Sequence, residues 1–195
     1  MPNMRRILTF TGTEVLSPFV LATALFAVVA VATSPLPWLA FAVPTVFIVG
    51  IPLAMSLWMT HSGKVTDRFI VERRQRHAFY LASLASVAVG LILVSALPVG
   101  YSMRLSVWTI MLILISVAGI NYAIKISVHS LVAAFFALSL PYLLGSWLWL
   151  LATVPVWALV TWSRVALQKH TVREVALGTA AGIISAGAYI SLLPI

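Results

Sequence analysis

Five uncharged stretches, residues 15–63, 78–103, 105–124, 126–163 and 175–195, occupy most of the chain, and short polar clusters separate them. A helix needs about 20 residues to cross a hydrocarbon core of roughly 30 Å. The first stretch is too long for one crossing. Ser34-Pro35-Leu36-Pro37 divides it, because proline lacks an amide proton and turns its predecessor away from helix. The fourth is also too long, and the segment opened by Pro141 and closed by Gly145 supplies its turn. The pattern predicts helices at 15–33, 37–59, 78–98, 104–123, 128–143, 145–162 and 174–193, seven in all, or six if a short pair is re-entrant. The expected fold is all-α, a polytopic transmembrane helical bundle forming one domain over residues 1–195, with no long linker and no internal repeat.

Composition supports this placement. The chain is 62% hydrophobic and 8% charged, with a mean hydropathy of +1.09, more apolar surface than a single soluble domain can bury. The N-terminal stretch has no Ala-x-Ala-type cleavage site, so a retained first helix is expected rather than a removed signal peptide. With no cysteine, disulfides, thiolate catalysis and thiolate metal sites are excluded.

A net charge of +8 by itself invites nucleic acid, but its placement points to a membrane surface. In a seven-helix path the N-terminus and the loops near 60–77, 124–127 and 163–173 share one face, which then holds every lysine and arginine except Arg104. The positive-inside rule accounts for that asymmetry and puts this face in the cytoplasm. It does not account for the four histidines and four acids, which segregate to the same face. A polar site at that surface accounts for both.

The chemistry concentrates in three loops. In the third, Ser163-Arg164 is followed by His170 and Glu174. His170 and Glu174 are four apart, so on a helix they share a face and the carboxylate can orient the imidazole. Arg164 offers a planar fork suited to phosphate oxygens. Gly178 and Gly182 continue the four-residue stripe, where small residues let another helix pack close. The second loop reads Lys125-Ile126-Ser127-Val128-His129, directly before an apolar helix; Ser127 is the expected N-cap, and the N–H groups of a helix start attract anions. In the first, Arg73 and Arg76 are three apart and project together from a helix start, while Arg74 faces lipid headgroups. Arginine, histidine and acid beside a lipid phase suggest phosphoryl chemistry on a membrane substrate.

The order and spacing of these residues resemble the type 2 phosphatidic acid phosphatase family, whose signatures are Lys-x6-Arg-Pro, Pro-Ser-Gly-His and Ser-Arg-x5-His-x3-Asp. Ser163, Arg164 and His170 match the third, with Glu174 in place of aspartate; Ser127 and His129 match the second, with Ile126 and Val128 replacing proline and glycine. Asp67, Arg73 and Arg76 look like the Asp-x5-Arg-x2-Arg variant of the first, with Phe69 where the lysine would stand. The resemblance covers residues 60–182. It implies that His170 attacks phosphorus, Glu174 holds the other ring nitrogen, and His129 protonates the leaving oxygen and then activates water. It further implies that Arg73, Arg76, Arg164 and Ser127 bind the equatorial oxygens, with Lys64, Arg68 or Lys125 replacing the absent lysine. Neither a metal nor a cofactor is expected, because the arginines supply the positive charge.

A substrate with a compact phosphate headgroup and a lipid tail is expected: a polyprenyl phosphate or diphosphate, phosphatidic acid, or phosphatidylglycerol phosphate. An anion transporter or channel would line its path with polar residues, and the predicted helix interiors carry little beyond Asn121 and scattered serines and threonines. A catalytically lapsed membrane scaffold is the other alternative; Val128 in the glycine position is its argument, and intact His129, Arg164 and His170 oppose it.

Overall fold

A computed structural model describes residues 3–67, 69–70 and 75–194. Among these residues the chain forms eight helices and no strand. Helix α1 (Met4–Phe10) starts at Asn3, whose side chain accepts the Arg5 N–H, and runs on through a π-helical turn at Thr11–Val15. After a bend of 55°, α2 (Pro18–Thr33) follows. Helix α3 (Pro37–His61) begins with proline in its first turn, where no intrahelical N–H is needed. It widens to a π-helical stretch, Thr45–Gly50, directly after Pro44. The remaining helices are α4 (Arg76–Ala96), α5 (Tyr101–Ala123), α6 (Val128–Leu143), α7 (Leu150–Ala166, entered through a 3-10 turn at Trp147–Trp149) and α8 (Val172–Leu192).

Each of the seven expected helical segments is helical, and α1 is the addition. Among the described residues five helices are long and apolar enough to cross a membrane, six if α1 and α2 count as one broken span. Helix α6 has 16 residues, about 24 Å at roughly 1.5 Å per residue. That is short of a hydrocarbon core.

Packing divides the chain into two compact units, Met1–Val28 with Ile126–Ile195, and Val29–Lys125. In the first, α6 packs against both α7 and α8. Leu131, Ala133, Ala134 and Phe135 are all buried, as they must be in a helix apolar on every side. Thr153 Oγ1 on α7 donates to the Ala137 carbonyl of α6 at 2.8 Å, and Trp157 Nε1 on α7 donates to Thr179 Oγ1 on α8 at 3.3 Å. The Phe135 and Tyr189 rings meet at 5.4 Å between centroids. In the second unit α4 packs on α5, and Ser86 of α4 donates to the Phe47 carbonyl in the π-helical stretch of α3 at 2.6 Å. In the same unit Met59, Val65 and Ile70 form a small apolar cluster against Met55 and Phe79.

Three helices end in one hydrogen-bonded turn, the Schellman motif, in which a left-handed residue just past the cap lets two N–H groups return to the last carbonyls. At α3 and α6 that residue is glycine, Gly63 or Gly145. Their N–H groups reach Thr60 and Tyr142, and those of Lys64 and Ser146 reach Met59 and Pro141. The third such turn, at the end of α7, carries the candidate chemistry.

Candidate active site

Helix α7 stops at Ala166, and Gln168 takes the left-handed position with φ of 55°. The Gln168 N–H donates to the Val165 carbonyl at 2.9 Å and the Lys169 N–H to the Arg164 carbonyl at 3.1 Å, which completes the Schellman pattern without glycine. The His170 N–H also donates to the Arg164 carbonyl, at 3.2 Å. The spacing from Arg164 to His170 is therefore the length of this turn: it brings the histidine's backbone back onto the arginine's. Arg164 itself is 1% exposed in the last turn of α7. A cation at that helix end is favoured by the dipole, and one so deeply buried requires acceptor oxygens around it.

Immediately after His170, Thr171 starts α8 with a capping box. Thr171 Oγ1 accepts the Glu174 N–H at 3.2 Å, and Glu174 Oε2 accepts the Thr171 N–H at 3.4 Å. The same Oε2 lies 2.7 Å from His170 Nδ1. A carboxylate is acceptor-only, so this contact puts the proton on Nδ1 and leaves the Nε2 lone pair as the nucleophilic end of the ring. His170 is 7% exposed, so the ring end of this bond is shielded from water, while the Glu174 side chain, 19% exposed, reaches the surface.

The second element meets this turn. Ser127 caps α6, its Oγ accepting the Ser130 N–H and the Ser130 hydroxyl at 3.0 Å from Ser130 Oγ. The Ser127 N–H donates to the Glu174 carbonyl at 3.1 Å. Four residues further along α8, a Cβ on Gly178 would collide with the Ser127 carbonyl, and one on Gly182 would collide with the Leu131 carbonyl. The glycine stripe of the sequence is thus the contact that seats the start of α6, with His129 at its second position, against the second and third turns of α8. His129 is 5% exposed and Ser127 fully buried.

The remaining candidates belong to the other unit and are described within it. Lys125, between α5 and α6, is half-buried. Asp67 Oδ1 accepts the Phe69 N–H at 2.8 Å, and its carbonyl accepts the Ile70 N–H at 2.8 Å, so the carboxylate closes a local turn. Lys64 Nζ stands 4.1 Å over the Trp58 ring, a cation–π contact in an exposed loop. Arg76 is the first residue of α4; its side chain and the whole of Arg73 lie outside the described residues.

Two contributors are absent from the sequence expectations. Thr171 is one, although Thr-x-x-Glu is the spacing of a capping box. The other is the N-terminal segment. Gly12 and Thr13 press on Ser163, and Arg5 Nη2 donates to the Ala166 carbonyl at 3.3 Å. No local pattern announces those contacts. Compared with protein-family models, with curated proteins and with solved structures, the chain has no match.

Proposed function

We propose that this chain is a membrane-embedded hydrolase of lipid phosphates that works through a phosphohistidine. The observation that carries the reading is the His170–Glu174 contact of 2.7 Å on a turn folded back onto Arg164 and docked to the Ser127-x-His129 helix start. Glu174 holds the Nδ1 proton, so Nε2 of His170 attacks phosphorus in line with the ester oxygen. The P–O bond breaks, and the leaving oxygen takes a proton from the His129 imidazolium. Neutral His129 then removes a proton from water, the resulting hydroxide attacks the phosphohistidine, the P–N bond breaks and inorganic phosphate leaves. Arg164 and the Ser127 end of α6 bind equatorial oxygens, where negative charge is spread in the transition state.

The setting favours a lipid over a soluble substrate. A headgroup at these helix ends leaves its tail beside helices apolar enough to lie in the bilayer, and charged groups at mid-bilayer would each cost about 2.5–3.5 kcal/mol. A prenyl phosphate or diphosphate and a glycerophospholipid phosphate both satisfy this geometry. The clustered basic residues favour a site on the cytoplasmic face, and the resemblance to small prokaryotic phosphatases favours a prokaryotic cell membrane.

The test is phosphate release by purified protein in detergent, with EDTA present and a panel of prenyl and glycerophospholipid phosphates. Release from at least one, abolished in His170→Ala, is the expected outcome. Dependence on added metal, or an unchanged rate in His170→Ala, contradicts the reading. Anion flux in proteoliposomes without phosphate release would favour a transporter instead.

A further inference from the structure

The N-terminal segment lies outside the stretch that resembles a phosphatase, yet it grips the last turn of α7 on both sides of Arg164. Thr13 Oγ1 donates to Ser163 Oγ at 3.3 Å, and both residues are buried. The Ser163 hydroxyl spends its own proton on the Val160 carbonyl at 2.7 Å, so a lone pair receives Thr13. One residue earlier, Gly12 lies so close that a Cβ would come within 2.8 Å of the Leu159 carbonyl oxygen and 2.9 Å of Ser163 Cβ. Arg5 Nη2 donates to the Ala166 carbonyl at 3.3 Å, at the end of the same turn. Between these, Thr9 is buried and bonded back to the Arg5 carbonyl at 2.9 Å, which keeps the segment in register. Leu159, Ser163 and Ala166 bracket Arg164 on its helix.

We infer that residues 5–13 are a splint that fixes the last turn of α7, and that Gly12 and Thr13 are positioning residues for the Arg164 guanidinium as a phosphate-oxygen ligand. This rests on the phosphatase reading for the identity of the ligand. The physical reason is that a helix end leaves its last carbonyls without intrahelical partners: the Schellman turn meets those of Arg164 and Val165, and Arg5 meets that of Ala166. Here the turn ends at Gln168, a residue poorly suited to its left-handed position, so outside support matters more. An arginine on a fraying turn samples many rotamers, and its fork geometry is lost.

The experiment measures binding of inorganic phosphate by titration calorimetry to the full-length protein in detergent, alongside its melting temperature. Thr13→Val is isosteric and removes the donor to Ser163, Gly12→Val wedges the segment off α7, and Thr13→Ser restores the hydroxyl. The expected result is phosphate affinity reduced about 10-fold or more in Thr13→Val and Gly12→Val, the range carried by a hydrogen bond to a charged group. Thr13→Ser should bind as wild type, and Thr13→Val should keep its melting temperature within a few degrees. If Gly12→Val does not fold, Thr13→Val decides alone. Wild-type affinity in a folded Thr13→Val protein overturns the splint and leaves the phosphatase reading standing. A wild-type chain that binds no phosphate removes both.

Discussion

Gly178→Ala is the most informative single substitution, because it adds one carbon at the contact that seats α6 on α8. The new Cβ would overlap the Ser127 carbonyl oxygen and stand 3.2 Å from its carbon and 3.3 Å from its nitrogen. Ordinary C···O contacts lie at about 3.3–3.6 Å, so the two helix starts must part by roughly 1 Å. The Ser127 N–H to Glu174 carbonyl bond, 3.1 Å in the native structure, would then exceed hydrogen-bond range. Overpacking costs about 1–3 kcal/mol and the lost bond about 0.5–1.5 kcal/mol, against about 0.8–1 kcal/mol gained because alanine favours helix. The net loss is about 0.5–3.7 kcal/mol, which lowers Tm by roughly 1–15 °C for a chain of this size. Turnover should suffer more: a displacement of about 1 Å between reacting groups costs on the order of 100-fold. Gly187→Ala in the same helix is the control, since nothing lies within 4 Å of its would-be Cβ. It should be neutral or slightly stabilising. Thermal unfolding in detergent and phosphate release are measured side by side. Wild-type behaviour of Gly178→Ala in both assays would refute the claim that this contact sets the site.

Glu174→Gln keeps an oxygen for the Thr171 cap but no longer enforces the Nδ1 proton on His170. Turnover should fall by about 100- to 10,000-fold while Tm changes little; equal losses in both would make Glu174 a helix cap only. Gln168→Gly should relieve the left-handed turn at the end of α7 and stabilise the protein by about 0.5–1 kcal/mol net of chain entropy, read as a Tm rise of roughly 1–4 °C. A fall in Tm would mean that the Gln168 side chain contributes more than its backbone strain costs.

Much of the helical frame was legible because each boundary has a local cause. Pro37 opens α3, Gly145 closes α6, and Ser127 caps α6, all visible as residue types at the ends of apolar runs. The His170–Glu174 pairing was legible as a four-residue spacing, but not as the helix-face pair expected: His170 lies ahead of the Thr171 cap, and the contact forms because Glu174 turns back across the start of α8. The end of α7 was harder to place. Its Schellman turn is built on Gln168 rather than glycine, so α7 runs to Ala166 where 162 was expected. Helix α1 was hidden because the segment it opens is held by Gly12, Thr13 and Arg5 meeting residues 147 or more positions away in the chain. Lys64 and Asp67 carried a charge signal that sequence cannot separate from local roles, a ring contact with Trp58 and a closed turn. The seven-crossing path rested on counting apolar runs; α6, at 16 residues, is buried by its neighbours rather than by length.

In the proposed mechanism Nε2 of His170 takes the phosphoryl group. Rapid acid-free quenching of the wild-type protein with a radiolabelled lipid phosphate that it hydrolyses tests this most directly, followed by mapping of the protein-bound label. Label that is acid-labile, alkali-stable and confined to the peptide containing His170, and absent from His170→Ala, is the predicted result. Hydrolysis without any bound label, or a label that survives in His170→Ala, would contradict the account.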